Sequence, residues 1–484
     1  MYNNLKDRNL TLLADFYELT MAGGYFENNM QDTIAYFDMF YRKNPDNGGF
    51  AIMAGVEQMI EYLTNLKFTS EDIEFLRSKN MFSEAFLDYL QNFEFSCDVW
   101  AVPEGTPIFP GEPIVTVRGP LIEAQFVETM ILLSINHQSL IATKANRIVT
   151  AAEGRAVMEF GSRRAQGYDG AIYGARAAYI GGCAGSACTI CDRDYKIPAL
   201  GTMAHSWIQS FDSEENAFRA YAKAYPQNCT LLVDTYNTLK SGIPNAIKIF
   251  NEEIVSRGFR PKGIRIDSGD ITYLSKKARK MLDEAGFEDC KICASNSLDE
   301  YIIRDMFLQG AKVDIFGVGE RLITSYSSPV FGGVYKLVAL ENNKGEIIPK
   351  IKVSENVGKI TTPCFKKLYR LFDKDTDKAI ADVLTLREEV IDDTLPYEIF
   401  DPQYTWKRKN VTNFYAKEMQ VKYIENGKLI EELPDVEKIK NYCKAQLDTL
   451  WDEVTRFENP HTYYVDLSQK LWDVKDSLLK KNRS

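Results

Sequence analysis

The middle of this 484-residue chain carries side chains suited to handling phosphate and hydroxyl oxygens. Arg163 and Arg164 are adjacent, Arg265 follows far downstream, and Asp267 and Asp270 bracket Ser268-Gly269. An arginine presents a planar fork that matches the oxygens of a carboxylate or phosphate. Gly317 and Gly319 form a Gly-x-Gly whose backbone N–H groups could approach a phosphate oxygen, although two glycines after a strand also make a plain tight turn. Asp267 and Asp270 suit ribose hydroxyls or Mg2+, a hard cation that shares oxygen ligands with substrate phosphates. A helix N-cap is an equally good reading of Asp270. His205 is one of three histidines, with His137 and His461, and it alone stands near the other groups. The set fits a small substrate bearing several phosphates.

Those residues need a scaffold that aims them at one point. Between about residues 150 and 340 the chain repeats a short apolar run, a polar cluster and a helical stretch, which is βα punctuation. The runs are Ala156 to Phe160, Pro198 to Met203, Thr230 to Val233, Gly263 to Ile266, Lys291 to Ala294 and Val313 to Phe316; Val334 to Val338 is a further strand-like run outside these six. Several are continuously apolar, as expected of parallel strands buried on both faces. Ser297 precedes Glu300 by three residues and predicts a capping box opening a helix. Each run is followed by a cluster that would lie on one rim: Gly161-Ser162-Arg163-Arg164, Ala204-His205-Ser206, Asp234-Thr235, Asp267-Ser268-Gly269-Asp270, Ser295-Asn296 and Gly317-Val318-Gly319-Glu320. That sidedness suits an irregular βα barrel, whose active site forms at the carboxyl ends of its strands. A doubly wound sheet has the same sidedness, with its ligand at a switch point instead.

The flanks read differently. Residues 1–130 predict an α+β domain, with helices over Leu12 to Tyr25 and within Val56 to Leu90, then a Pro/Gly-rich strand region from Val102 to Val117. Residues 131–345 would form the barrel. Residues 346–484 form a Lys/Glu-rich C-terminal region, expected to pack on the other two, with helical spacing over Val436 to Trp451 and Leu467 to Leu479. A net charge of −10 argues against a nucleic-acid partner, which calls for a basic face. No run approaches the ~18 apolar residues of a membrane span. Met1 to Leu10 is too polar for a signal peptide, so the cytoplasm is the expected location. Nine cysteines there should be reduced. Cys188/Cys191 and Cys290/Cys293 have Cys-x-x-Cys spacing, but the pairs lie far beyond the ~15–20 residues of a compact zinc site. Small buried hydrophobes are the preferred reading.

Five strings carry a resemblance to a known family: LLADFYELTMAGGYF (Leu12 to Phe26), EFGSRRAQGYDGA (Glu159 to Ala171), GTMAHSWIQSF (Gly201 to Phe211), IRIDSGD (Ile264 to Asp270) and GGVYKLV (Gly332 to Val338). In composition and order they resemble the nicotinate phosphoribosyltransferases, over nearly the whole chain. The resemblance implies a type II phosphoribosyltransferase fold and a homodimer in which the N-terminal domain of one subunit covers the barrel mouth of the other. It also implies synthesis of nicotinate mononucleotide and pyrophosphate from nicotinate and phosphoribosyl pyrophosphate. ATP hydrolysis would be coupled through a phosphohistidine, here His205.

Residue by residue, the resemblance makes Phe160 and Tyr17 of the partner subunit the aromatics that sandwich the pyridine ring, where residue type alone suggests core packing. Arg265 would face the pyridine carboxylate, and Arg163 and Arg164 the phosphates. Asp267, Ser268 and Gly269 would form the ribose and phosphate loop, and Gly317 and Gly319 the 5′-phosphate cradle. Ser186 stands where related nicotinamide enzymes place an acid, which favours nicotinate over nicotinamide. Lys336 lies in a matched string without an assigned role. The family's occasional C-terminal zinc cluster is not expected, since only Cys443 follows Cys364. The rival readings are a nicotinamide phosphoribosyltransferase, a quinolinate enzyme, whose chains are shorter and which has no ATP step, and a non-catalytic metabolite-binding protein of the same fold.

Overall fold

The computed structural model describes residues 8–481; the first seven residues of the polar start lie outside them. The chain folds as two compact units, one from residues up to Leu140 together with those from Val330 onward, the other from Ile141 to Pro329. This differs from three consecutive segments. The strand Val334–Glu341, expected as a further strand within the 131–345 segment, pairs antiparallel with Ile34–Phe40, and Val421–Glu425 pairs with Asp98–Ala101. Late strands thus complete an early sheet.

That sheet has seven strands, in the order Ile347–Pro349, Val334–Glu341, Ile34–Phe40, Val115–Pro120, Asp98–Ala101, Val421–Glu425 and Lys428–Leu429. The central strand Ile34–Phe40 is buried at five successive positions, so both its faces are covered. The covering residues include Leu19, Leu121, Ile122 and Phe126 from the helices Phe16–Glu27 and Leu121–Phe126. A further four-stranded sheet holds Lys366–Asp373 and Ala379–Leu386 at its centre. Among the described residues no helix is long and apolar enough to cross a membrane.

The second unit is built on a six-stranded parallel sheet ordered Gly185–Ser186, Ala156–Glu159, Ile315–Val318, Lys291–Ser295, Gly263–Ile266 and Thr230–Leu232. Chain neighbours are sheet neighbours, and the last strand pairs with the first, which is the cyclic order of a βα barrel. The ladder is open at one place. The run Pro198 to Met203, expected as a strand, contributes one parallel bridge, Ser186 to Ala199. Pro198 has no N–H to donate and Gly201 favours an irregular path, which accounts for the shortfall. Leu231, Leu232, Ile264, Ile266, Ile292, Ala294, Phe316 and Val318 are all buried, as their continuous apolar runs demand.

Two of the helices that follow strands are started by an aspartate side chain. Asp270 caps Ile271–Glu284 by accepting the Tyr273 N–H at 2.9 Å. The next helix, Glu300–Leu308, is capped by Asp299, which accepts from Ile302 N at 2.8 Å, and not by Ser297. Ser297 has a positive φ of 39° and lies outside the cap position. Glu300, expected to complete a capping box, is fully buried and takes Lys144 Nζ at 2.7 Å and Arg147 Nε at 3.2 Å. A carboxylate buried between two cations is held inside by charge pairing.

Candidate active site

The strand ends of the parallel sheet converge on His205, the first residue of the short helix His205–Gln209. Its Nδ1 lies 3.0 Å from Thr235 Oγ1 and its Nε2 3.6 Å from Asp267 Oδ2. The ring and the carboxylate are each 37% exposed, so both remain open to a ligand. Asp267 is held from two sides. Ser295 Oγ donates to its Oδ1, and its backbone N–H donates to Asp234 Oδ2 at 3.0 Å. Asp234 Oδ2 also accepts from Ser268 Oγ at 2.5 Å, while its buried Oδ1 has no partner. Gly269 then turns the chain with φ of +79°, a left-handed conformation that glycine adopts without strain.

Arg265 stands two residues before Asp267 on the same strand. Its Nη1 donates to Thr202 Oγ1 at 2.7 Å and its Nη2 to Met203 O at 2.9 Å, which fixes the plane of the guanidinium. Its Nε is buried and has no partner. A buried, unmade donor costs about 1–3 kcal/mol. An anionic ligand oxygen could relieve that cost.

Phe160 follows the strand Ala156–Glu159 and hydrogen bonds through its N–H to Val318 O at 2.8 Å. Its ring lies over Gly317, where a Cβ would sit 2.5 Å from the ring edge. Gly319 runs beside the Phe160 carbonyl, 3.1 Å from where its Cβ would be. Close packing by Phe160 is therefore sufficient reason for both glycines. Arg163 and Arg164 lie in the 3-10 turn Ser162–Arg164, exposed. Arg164 Nε is 3.7 Å from Glu320 Oε2, both side chains largely in solvent, a pair of little energetic weight. The two cations are thus available to an anion.

Family models match this chain along its length: the nicotinate phosphoribosyltransferase N-terminal domain at residues 12–136, the nicotinate phosphoribosyltransferase family at 155–371 and the nicotinate phosphoribosyltransferase C-terminal domain at 365–475. Nicotinate phosphoribosyltransferase of Bacillus subtilis is 43% identical over 470 residues, covering 97% of this chain and 95% of that protein. The chain belongs to the nicotinate phosphoribosyltransferase family. It is an enzyme of the phosphoribosyltransferase class. A relative from Dictyostelium discoideum is 33% identical over 527 residues, covering 96% of this chain and 88% of that one. The crystal structure of human nicotinic acid phosphoribosyltransferase matches with a TM-score of 0.84 at 28% identity, over 96% of this chain and all of that one.

Within this family member, His205 faces Asp267, Asp234 ties the Asp267 backbone to the Ser268 hydroxyl, and Arg265 stands two residues before Asp267, on the strand Gly263–Ile266. Tyr17 belongs to the other unit. It stands on the helix Phe16–Glu27, 43% exposed, with burial of part of the ring and the nearby Glu128 carboxylate pushing its phenol well up. Lys336, left without a role by sequence, lies 3.4 Å from the same Glu128. Asp270 commits one oxygen to its helix cap.

Ser186 does not present a free hydroxyl. It is 1% exposed, donates to Glu159 Oε2 at 2.5 Å and accepts from Cys188 N at 2.9 Å. Glu159 is fully buried, also accepts the Gly161 N–H, and burial pushes its carboxyl up to about 7. Ser186 and Glu159 together fasten the loop that carries Arg163 and Arg164 to the sheet. Asp234, Thr235 and Ser295 were visible in sequence as rim positions but not as partners of His205 and Asp267. Glu159 had no signal, because an acid ending an apolar run looks like the solvent end of a strand.

Proposed function

We propose that this enzyme joins nicotinate to the ribosyl carbon of phosphoribosyl pyrophosphate, releasing pyrophosphate, with ATP hydrolysis relayed through His205. The observation that supports it most is the fixed Arg265 fork with its unpartnered Nε, two residues from the carboxylate that faces His205. The pyridine nitrogen needs no base. Its lone pair forms the bond to the anomeric carbon as the bond from that carbon to pyrophosphate oxygen breaks. Positive charge then develops on the sugar, near Asp267, and negative charge on the leaving group, near Arg163 and Arg164. Fixed charges of this kind stabilise a transition state without reorganisation. Arg265 holds the nicotinate carboxylate and the Phe160 ring lies against the pyridine, which supplies orientation.

Mg2+ fits the donor set here, because Asp267 and Asp234 offer oxygen atoms, Oδ1 of Asp234 being unpartnered. Among the described residues no three acidic, histidine or cysteine side chains form a ready metal cage, which suits an ion that shares substrate phosphates. When bound, it would neutralise pyrophosphate charge. Asp270 keeps one oxygen for the same role beside its cap.

For the ATP step, the tautomer of His205 with its proton on Nδ1, shared with Thr235 Oγ1 at 3.0 Å, would leave the Nε2 lone pair as nucleophile on the Asp267 side. Attack on the γ-phosphorus forms the P–N bond and releases ADP, and water later cleaves that bond to give phosphate. The phosphoryl group would add oxygens that hold Mg2+ and order the donor. The enzyme is proposed to work as a cytoplasmic homodimer, with Tyr17 of the partner subunit completing the pyridine site.

Incubation with phosphoribosyl pyrophosphate and either nicotinate or nicotinamide, with and without ATP, followed by mass identification of products, decides the reading. Nicotinate mononucleotide is expected, at a level raised by ATP. Nicotinamide mononucleotide alone would favour the amide enzyme, and no mononucleotide from either base would leave only a binding protein. Wild type given γ-labelled ATP should carry an acid-labile, base-stable phosphate that His205→Ala lacks. Equal labelling of the variant would remove His205 from the ATP step.

A further inference from the structure

Cys188 is the one cysteine of the nine that is not buried. It sits at the N-cap of the helix Thr189–Tyr195, and Cys191 is one turn further on, its backbone N–H donating to Cys188 O at 2.9 Å. The Cys191 side chain and the backbone N–H groups of Cys191 and Ile190 lie beside the Cys188 sulfur. The Ser162 hydroxyl is buried near the same sulfur and makes no hydrogen bond. The Cys188 N–H in turn donates to Ser186 Oγ. This cysteine therefore touches both the turn that carries Arg163 and Arg164 and the strand that anchors it.

We propose that Cys188 and Cys191 are a reversible oxidation site, in which Cys188 reacts with hydrogen peroxide, Cys191 closes a disulfide, and the closed pair loosens the Ser162–Arg164 turn. In the first step the Cys188 thiolate attacks a peroxide oxygen. An S–O bond forms, the O–O bond breaks, and hydroxide leaves to become water with one proton. Cys191 then gives up its proton as its sulfur attacks the sulfenic sulfur. The S–S bond forms, the S–O bond breaks, and the departing hydroxide takes that proton as a second water. Two thiols lose two electrons, and the peroxide is reduced to water.

The local chemistry favours this order of events. The Cys191 contact, the Ser162 hydroxyl and the two backbone N–H groups bring the Cys188 thiol down to about 6, so it is mostly thiolate at neutral pH. Burial of the sulfur opposes this shift, and the nearby Glu159 carboxyl is in turn pushed up by the thiolate. Cys191 is pushed far up, first by its contact with Cys188 and then by burial, and its sulfur also points at Ile172 O at 3.5 Å. Cys229, Cys290 and Cys293 are pushed up to about 12 by burial and stay inert thiols. A two-residue spacing within one helical turn keeps the two sulfurs within bonding reach. Once the disulfide closes, the Cys188 sulfur is neutral and the Ser162 hydroxyl loses its charged neighbour.

The oxidation site stands without any reading of the activity; only its effect on donor binding rests on the proposed function. The test uses the full-length, reduced protein treated with one equivalent of hydrogen peroxide at neutral pH, then alkylated, digested and weighed. The peptide spanning Cys188 and Cys191 should lose two hydrogens before any other cysteine is modified, and dithiothreitol should restore them. In reduced protein, Cys188 should alkylate roughly tenfold or more faster than Cys191 or Cys290, following the thiolate fraction. Cys191→Ser should stop at a sulfenic acid on Cys188 that dimedone traps, and Cys188→Ser should leave Cys191 reduced. Equal alkylation rates for Cys188 and the buried thiols, or no disulfide in wild type, overturns the site. In parallel, the oxidised enzyme should show a several-fold higher KM for phosphoribosyl pyrophosphate that dithiothreitol reverses. A disulfide that forms without moving this KM overturns the loosening of the turn and leaves the oxidation chemistry standing.

Discussion

Arg265 shows how a single side chain can be prepared for an anion before one arrives. Two of its donors are fixed on Thr202 and Met203, so the guanidinium cannot swing away, and the third is buried and unmatched. Arg265→Ala should raise the KM for nicotinate at least tenfold, the equivalent of a charge-assisted bond of ~1.5–3 kcal/mol, with donor KM changed much less. Arg265→Lys should recover little, because an ammonium cannot hold Thr202 and Met203 while facing a carboxylate. Steady-state kinetics with each substrate varied separately checks this; an unchanged nicotinate KM refutes the role. Glu159 makes the second residue-scale case. Folding raises its carboxyl from an ordinary 4.5 to about 7, so the folded chain holds this proton more tightly than the unfolded chain. The stability it contributes is complete below 4.5 and lost as pH rises through about 7. Glu159→Gln mimics the protonated form, its amide oxygen taking the Gly161 N–H and its NH2 facing Ser186. The stability difference between variant and wild type should therefore shift in the variant's favour from pH 5 to pH 8, by an amount on the order of 3 kcal/mol at most. Urea unfolding at the two pH values measures it, and a constant difference would mean that Glu159 is ionised in both states.

At the scale of elements, the rim was legible and the supports were not. A continuous apolar run followed by Asp, Ser or Gly marks a buried parallel strand and its loop, and five such runs became strands at or near their expected positions. The run at Val334 also became a strand, but in the other sheet, because its local pattern is that of any strand and only pairing with Ile34–Phe40, some three hundred residues away, decides which sheet takes it. The box predicted from Ser297 and Glu300 failed for a related reason. Spacing alone cannot tell a capping acid from one drawn inward by distant cations, and Lys144 and Arg147 are over a hundred and fifty residues from Glu300. Cys188 was legible as half of a Cys-x-x-Cys pair, but spacing does not tell that it alone of the nine cysteines keeps partial exposure. The buried pair gives its own prediction. Lys144→Met should cost about 3–5 kcal/mol by leaving Glu300 with one partner. Adding Glu300→Leu should recover much of that loss. If the double variant is no more stable than the single one by denaturant unfolding, Lys144 holds the helices together by something other than charge pairing.

For the whole molecule, the question is how a pyridine ring is enclosed when its two aromatic candidates lie in different units of the chain. Phe160 stands at a strand end of the parallel sheet, whereas Tyr17 stands exposed on the helix Phe16–Glu27 of the other unit, among Leu13 and Phe16, which are exposed as well. Exposed large apolar side chains grouped on one element are uncommon on an isolated monomer and suit burial against a second copy. If Tyr17 of the partner subunit closes the site, each active site draws residues from two chains. With nicotinate held well below the wild-type KM, Tyr17→Ala and Arg265→Ala homodimers should then both be strongly impaired, for different reasons. Mixed dimers would hold one site with both lesions and one with neither, so subunit exchange should restore activity towards a quarter of the wild-type value when the subunits mix at random in equal amounts. That fraction follows because about half of the dimers are mixed and each mixed dimer carries one intact site of two. The exchange itself is checked by native mass spectrometry of differently tagged subunits. Recovered activity that rises with the mixed-dimer fraction supports a shared site, whereas mixed dimers without recovered activity would place Tyr17 and Arg265 in the same subunit's site.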